Sequence, residues 1–152
     1  DSLTTDLAEG KYDKLLTLLN ELKYYMALCV PTRYDVHNEI NTAIDIDLWK
    51  QMLEHNAFNN DDIIGFITYV YNKIKEWCSA ADKNIVENKM KETLANLEKV
   101  STGEITLPEY ISNFIKDSFQ FLENIISMVN HYKITDEYKA IKGIIEDIHN
   151  KK

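Results

Sequence analysis

Apolar residues recur along most of the chain at intervals of three and four positions, the spacing that places them on one face of an α-helix. The first such stripe contains Tyr12, Leu15, Leu16, Leu19, Leu22, Met26 and Cys29. Pro31 ends this helix because it lacks an N–H group and disfavours helical geometry at Val30. We predict that Pro31 is also the first residue of a second helix, whose apolar face contains Val36, Ile40, Ala43 and Ile44.

Side chains suited to capping helices precede the next two stripes. Asp45 and Asp47 are both suitable N-caps for a short third helix from Leu48 to His55. The polar cluster at 59–62 caps a fourth helix that runs to about Cys78. Gly65 lies inside that helix, where glycine costs about 1 kcal/mol relative to alanine. We interpret it as a point of close approach between helices.

The second half of the chain predicts three more helices. Asp82 can cap a fifth, and Ser101-Thr102-Gly103 is the clearest turn signal. Pro108 opens a sixth helix over about 108–132, whose two apolar stripes make it the central element. These stripes contain Ile111, Phe114, Ile115, Phe121, Leu122, Ile125, Ile126, Met128, Val129 and Tyr132. Thr135 or Asp136 caps a seventh helix, with Tyr138, Ile141, Ile144, Ile145 and Ile148 facing inward.

The fold class that follows is all-α. We predict one domain over residues 1–152, a bundle of about seven helices around the central long helix at about 108–132. The 4 Gly and 2 Pro are too few for an all-β chain with a turn every 8–12 residues. No repeat and no linker rich in Gly, Ser or Pro divides the sequence.

Charge and hydropathy narrow the possible partners. The 17 basic and 25 acidic residues give a net charge of −8, which predicts that the protein does not bind nucleic acid. No apolar run approaches the ~20 residues that span a bilayer, so we expect no membrane insertion. Cys29 and Cys78 follow apolar helical stretches, which favours reduced core thiols and a cytosolic protein.

The sequence offers little for catalysis or for metal binding. Arg33 is the only arginine, whereas small enzymes that act on anionic metabolites use several guanidinium groups. The histidines are never three or four positions apart, so they form no local zinc pair: His37, His55, His131 and His149. Glycine-rich phosphate loops and nucleophile elbows are missing from the sequence. We therefore expect no enzyme activity, no catalytic residues, no cofactor and no metal.

Three short motifs are specific enough to compare with a known family. The first is Leu18-Leu19-Asn20-Glu21-Leu22-Lys23 followed by Pro31-Thr32-Arg33 and Glu39-Ile40. The second is Ile44-Asp45-Ile46-Asp47-Leu48 with Gln51, Glu54-His55 and Ala57, and the third is Trp77-Cys78-Ser79-Ala80-Ala81-Asp82. Over about residues 15–82 this order resembles the t-complex protein 11 family, and the rest of the chain matches loosely. Asn56 stands where the family signature has Gly, and Ala80-Ala81-Asp82 lacks its Pro and Arg.

The resemblance implies a non-catalytic helical protein-interaction module, an adaptor or regulator linked to cAMP and protein kinase A signalling. Its partner would be a protein that binds near residues 31–57. The candidate partner-binding residues are Arg33, Asp47, Gln51, Glu54 and His55. Arg33 is the most informative of them to test, because its planar guanidinium group can hold a carboxylate or a phosphate. The competing interpretation is an internal ion pair between Arg33 and a carboxylate such as that of Glu39.

Two other functions stay open at this point. One is a secreted or translocated helical effector that binds a host partner, which would apply if Asp1 follows a removed signal segment. The other is a small-molecule or lipid binder with an apolar cavity between its helices. The sequence Asp1-Ser2-Leu3 fits either a piece of a longer chain or a processed terminus.

Overall fold

The structure, a computed structural model, describes the backbone of residues 2–55 and 57–150 and the side chains of residues 12–55, 57–131 and 143–144. Every regular element in these ranges is helical, which confirms the predicted all-α class. The helices are α1 (Ser2–Cys29), α2 (Tyr34–Ala43), α3 (Ile46–His55), α4 (Asn60–Trp77), α5 (Lys83–Asn96), α6 (Glu98–Ser101) and α7 (Leu107–Asn150). A 3-10 turn at Ala80–Asp82 joins α4 to α5.

Polar side chains cap the helices that begin near the middle of the chain. Asp45 accepts a hydrogen bond from the Leu48 N–H at 3.2 Å, and Asn59 accepts one from the Asp62 N–H at 2.8 Å. Each cap satisfies an N–H that has no partner inside its helix. Gly103, in the predicted turn, has a φ of 81°, a conformation that favours glycine. These caps and this turn are confirmed.

The predicted start of the second helix is wrong, and the third helix begins at Ile46, two residues before the predicted Leu48. Helix α1 ends before Pro31 as expected, but α2 begins at Tyr34 because Arg33 provides the first carbonyl of its ladder, which accepts from the His37 N–H at 3.1 Å. Pro31 therefore lies in the connecting turn. Helix α5 begins directly after Asp82 as predicted, but the Asp82 side chain makes no capping hydrogen bond: its backbone is helical (φ −91°, ψ −13°), whereas an N-cap residue is usually extended.

The predicted sixth and seventh helices form one element. Helix α7 is 44 residues long and continues through Thr135 and Asp136, which are weak helix formers but not helix breakers. The predicted cap at Thr135 or Asp136 is therefore wrong. Ile144, predicted to face inward, is 60% exposed, and the other residues of that predicted stripe lie outside the described side chains.

The core is built around α1 and the first half of α7. Helix α7 packs along α1 and against α4, while α1 also contacts α2 and α3. Phe114 of α7 lies at the centre, with edge-to-face contacts to Phe66 at 5.5 Å and Tyr71 at 5.2 Å between ring centroids. The predicted central helix is confirmed, and α1 shares its role through the buried side chains of Leu15, Leu19, Leu22 and Met26.

A buried polar network joins α5 to α4 and α7. Thr93 donates its hydroxyl proton to the Lys89 carbonyl at 2.9 Å, so the Tyr71 hydroxyl must be the donor in its 2.9 Å bond to Thr93. The Tyr110 hydroxyl donates to the Thr93 carbonyl. Burial raises the pKa of Tyr71 and of Tyr110 to about 12, so both remain neutral donors at physiological pH. This network fixes α4, which forms one wall of the site described below.

Both cysteines are free, as expected. Cys29 is buried beside the Leu122 carbonyl, with its sulfur 3.8 Å from the oxygen, and burial raises its thiol pKa to about 12. Among the described residues, no helix is both long enough and apolar enough to cross a membrane.

Candidate functional site

Four of the five candidate residues lie together on one face of α3. Asp47, Gln51, Glu54 and His55 are spaced by four, seven and eight positions from the first, and all are exposed. The opposite face of α3 carries Trp49 and Leu53, which are buried. The short helix thus anchors itself through two apolar side chains and presents its polar face to solvent.

Arg33 lies on a different element, the turn before α2. Its guanidinium holds the Asp35 carboxylate in a two-point contact of 2.9 and 3.1 Å, with the two side chains 61% and 68% exposed. The hydrogen bond from Arg33 lowers the pKa of Asp35 to about 2. Arg33 therefore does form an internal ion pair, but its partner is Asp35 and not the suggested Glu39, which pairs with Lys73 of α4 at 3.2 Å.

Replacing Arg33 by Ala should leave the melting temperature unchanged within error. An exposed pair sits in water of high dielectric constant and is screened by salt, so its loss removes little stability. Thermal unfolding followed by circular dichroism is the measurement, with Asp35→Ala as the matched control. A fall of several degrees in both variants would show that the pair is structural and would remove Arg33 as a probe of partner binding.

An open cleft adjoins the candidate face of α3. It lies between the end of α2, the side of α3 and the start of α4, and its volume is about 540 Å³. We call it the α3–α4 cleft. Its floor is aromatic: Trp49 contacts Phe58 and Phe66, with ring centroids 5.3 and 4.9 Å apart. Leu48, 50% exposed, and the half-buried Met52 form its apolar wall on α3.

Gly65 lines the α4 side of this cleft. A Cβ atom built there meets nothing within 4 Å, so the predicted close approach between helices is wrong. Because glycine has no side chain, the α4 wall of the cleft does not project into the cleft at this position. Open space at a helical glycine means that a larger residue could be accommodated without moving the backbone.

The cleft is acidic at its rim. Asp45, Asp61 and Asp62 line it and are exposed, and residues 45–62 contain five carboxylates and one lysine. The N-termini of α3 and α4 also face the cleft, each with about half a positive elementary charge. Three full negative charges outweigh these two half charges, so the cleft attracts cations.

Tyr69 lies on the α4 wall with an unsatisfied hydroxyl. The oxygen is buried and has no hydrogen-bond partner among the described residues. Burial, followed by the charges of Glu39 and Glu76, raises the pKa of Tyr69 to about 12, so the group is a neutral donor and acceptor. A buried hydroxyl without a partner costs about 1–3 kcal/mol, which a water molecule or a bound partner can recover.

Sequence reasoning identified the α3 face but missed the cleft beside it. Leu48 follows Asp47 by one position, about 100° further around the helix, and was assigned no role in binding. The exposure of the Leu48 side chain could not be predicted from the sequence, because the spacing of the apolar residues in α3 allows either Leu48 or Trp49 to face the core. Among the described residues, no group of three His, Cys, Asp or Glu side chains is arranged to hold a metal ion.

The described helices define an all-α protein, and the cleft gives the described part of its surface an apolar groove with an acidic rim. The sequence model of the T-complex protein 11 family matches residues 1–132, so the chain belongs to that family. The match extends beyond residues 15–82 and includes the first part of α7. No curated protein and no solved structure matches the chain.

Proposed function

We propose that this protein is a non-catalytic interaction module, an adaptor or regulator, that binds a protein partner at the α3–α4 cleft. The observation that carries the proposal is the half-exposed Leu48 beside Met52 over an aromatic floor. Covering such side chains removes apolar surface from water, which stabilises a complex by about 25 cal/mol per Å². The exposed polar face of α3 then forms the rim of the same interface.

The non-catalytic part of the proposal is supported by where the perturbed groups lie. Cys29, Tyr71 and Tyr110 have strongly raised pKa values, and all three are buried in the core, where they pack or donate hydrogen bonds. Tyr69, whose pKa is also raised to about 12, does line the α3–α4 cleft, and burial is the first cause of its shift as well. Raised pKa values here accompany burial rather than a reactive site.

Family membership supports a link to cAMP and protein kinase A signalling, and cysteine usage supports a cytosolic location. Both are proposals. The direct test of the first is to measure binding of the purified chain to the regulatory and catalytic subunits of protein kinase A by calorimetry. Absence of binding to either subunit would remove the signalling link and leave the interaction module to be tested separately.

A lipid or small-molecule binder is the alternative that the cleft itself raises. Its three rim carboxylates repel an anionic headgroup, which favours a protein partner. Intact-mass measurement of the purified protein under native conditions separates the two. A bound molecule of constant mass that Leu48→Asp displaces would favour the ligand binder over the interaction module.

Replacing Leu48 by Asp should weaken partner binding by about 10-fold to 100-fold, the equivalent of leaving one leucine side chain exposed in the complex. Ile85→Asp is the matched control. Ile85 is 57% exposed, and like Leu48 it is the third residue of its helix, where aspartate is well tolerated. Partners are captured with the wild-type chain, identified, and their dissociation constants measured with both variants.

A second variant guards against loss of binding through misfolding. Gly65→Leu adds a side chain to the open cleft and replaces the glycine of α4 with a strong helix former. We expect it to weaken binding while raising the melting temperature. Unchanged partner binding in both Leu48→Asp and Gly65→Leu would overturn the assignment of the cleft, and loss in Ile85→Asp alone would move the site to α5.

A further inference from the structure

We infer that the occupant of the α3–α4 cleft is an amphipathic α-helix with a basic polar face, supplied by the partner. This inference rests on the proposed function and specifies the chemistry of the partner at the same site. Three properties of the cleft carry it: the secondary structure of its walls, the kind of apolar surface it offers, and its charge.

The walls are helical, so they offer no backbone for pairing. Most N–H and C=O groups of α3 and α4 are used within their own helices, and among the first-turn N–H groups those at Leu48 and Asp62 are capped by Asp45 and Asn59. A strand that bound here would leave its own backbone groups unpaired at a desolvated surface. A helix satisfies those groups internally, which makes it the occupant that the walls allow.

The most exposed large apolar side chain of the cleft is aliphatic, that of Leu48, whereas the aromatic side chains Phe58 and Tyr69 are half-buried. Trp49 and Phe66 are buried, and their rings contact each other edge to face. Polyproline ligands need exposed aromatic rings on which to stack, whereas an amphipathic helix packs leucine-like side chains against aliphatic ones. Leu48 and Met52 supply such surface at positions four apart, the spacing of neighbouring side chains on a helix. The 10 residues of α3 extend about 15 Å, enough for two to three turns of a bound helix.

The negative charge of the rim determines that the polar face of the bound helix must be basic. Asp45, Asp61 and Asp62 line the cleft beside the apolar wall, and Lys50 is the one lysine or arginine in residues 45–62. Lysine or arginine beside the apolar stripe of the bound helix would pair with these carboxylates. An acidic helix would be repelled, so the rim selects between partners as well as attracting them.

The test uses designed peptides of about 18 residues, long enough to form helix in water. One has equal numbers of leucine and lysine, ordered so that the leucines share one face of a helix. A second replaces every lysine by glutamate, and a third has the composition of the first with leucine and lysine alternating. Binding of each to the full chain is measured by calorimetry at two salt concentrations. We expect only the first peptide to bind tightly, with the acidic and alternating peptides weaker by about tenfold or more.

Variants of the chain then locate the binding. Asp45→Asn, Asp61→Asn and Asp62→Asn together should weaken the lysine peptide by about tenfold, and asparagine preserves the cap of α3. Glu104→Gln, Glu109→Gln and Glu123→Gln together remove three exposed carboxylates elsewhere and should have little effect. Leu48→Asn should weaken binding and Ile85→Asn should not, because these variants remove an apolar side chain without adding a carboxylate.

Either of two results would overturn the inference. One is equal binding of the acidic or alternating peptide. The other is an equal effect of the two triple variants, which would mean that the peptide responds only to net charge. The interaction module itself fails on a different result, namely unchanged capture of partners by Leu48→Asp and Gly65→Leu. The two failures are therefore distinguishable.

Discussion

Replacing Phe114 by Ala should lower the free energy of unfolding by about 3–5 kcal/mol, the range for truncating a buried phenylalanine. Phe114 is 2% exposed and holds edge-to-face contacts with Phe66 and Tyr71, so its removal leaves a cavity between α7 and α4. Chemical denaturation by urea gives the free energy directly. A domain stability of about 5–15 kcal/mol makes this loss a large fraction of the total.

The control for this variant is Phe121→Ala on the same helix. Phe121 is half-buried, so the same truncation removes less surface from the core and should have a clearly smaller effect. Equal losses in the two variants would contradict the placement of Phe114 at the centre of the core.

Replacing Ile125 by Ala should lower the free energy of unfolding by about 2–5 kcal/mol. Ile125 is 2% exposed and lies further along α7, in the same core as the buried face of α1. For a protein of this size each kcal/mol corresponds to about 2–4 °C in melting temperature. Thermal unfolding followed by circular dichroism should therefore show a shift of several degrees or more.

Ile144→Ala provides a matched control because the substitution and the helix are the same. Ile144 is 60% exposed, so its truncation should change the free energy of unfolding by no more than about 0.5 kcal/mol. A large loss at Ile144 with a small one at Ile125 would mean that Ile144 is buried and Ile125 is exposed. It would show that the second half of α7, and not the first, is packed in the core.

The course of α7 shows where sequence reasoning about the fold succeeded and where it failed. The stripes at 108–132 predicted the buried face correctly, since Ile111, Phe114 and Leu122 are all in the core. The predicted break near Thr135 was wrong because it rested on a capping residue alone. A cap stabilises a helix start by about 1 kcal/mol, and without a glycine or proline nearby the ladder continues through it.

The candidate site was likewise predicted only in part from the sequence. Family motifs selected Asp47, Gln51, Glu54 and His55. Their spacing places them on one face of a helix, opposite the buried Trp49 and Leu53. The cleft beside them could not be found in this way. Its walls come from α3 and α4, and the angle between two helices depends on packing that no local pattern records.

The sequence by itself determined the all-α class, the caps at Asp45 and Asn59 and the apolar faces of α1 and of the first half of α7, because these depend on residues within a few positions of one another. It also determined the acidic character of residues 45–62. Only the tertiary structure decided that Glu39 of α2 pairs with Lys73 of α4 and that Gly65 borders open space. The exposure of Leu48 was decided there too. The physical reason is that burial and open volume are properties of several helices packed together, and the same apolar stripe can be covered by different neighbours.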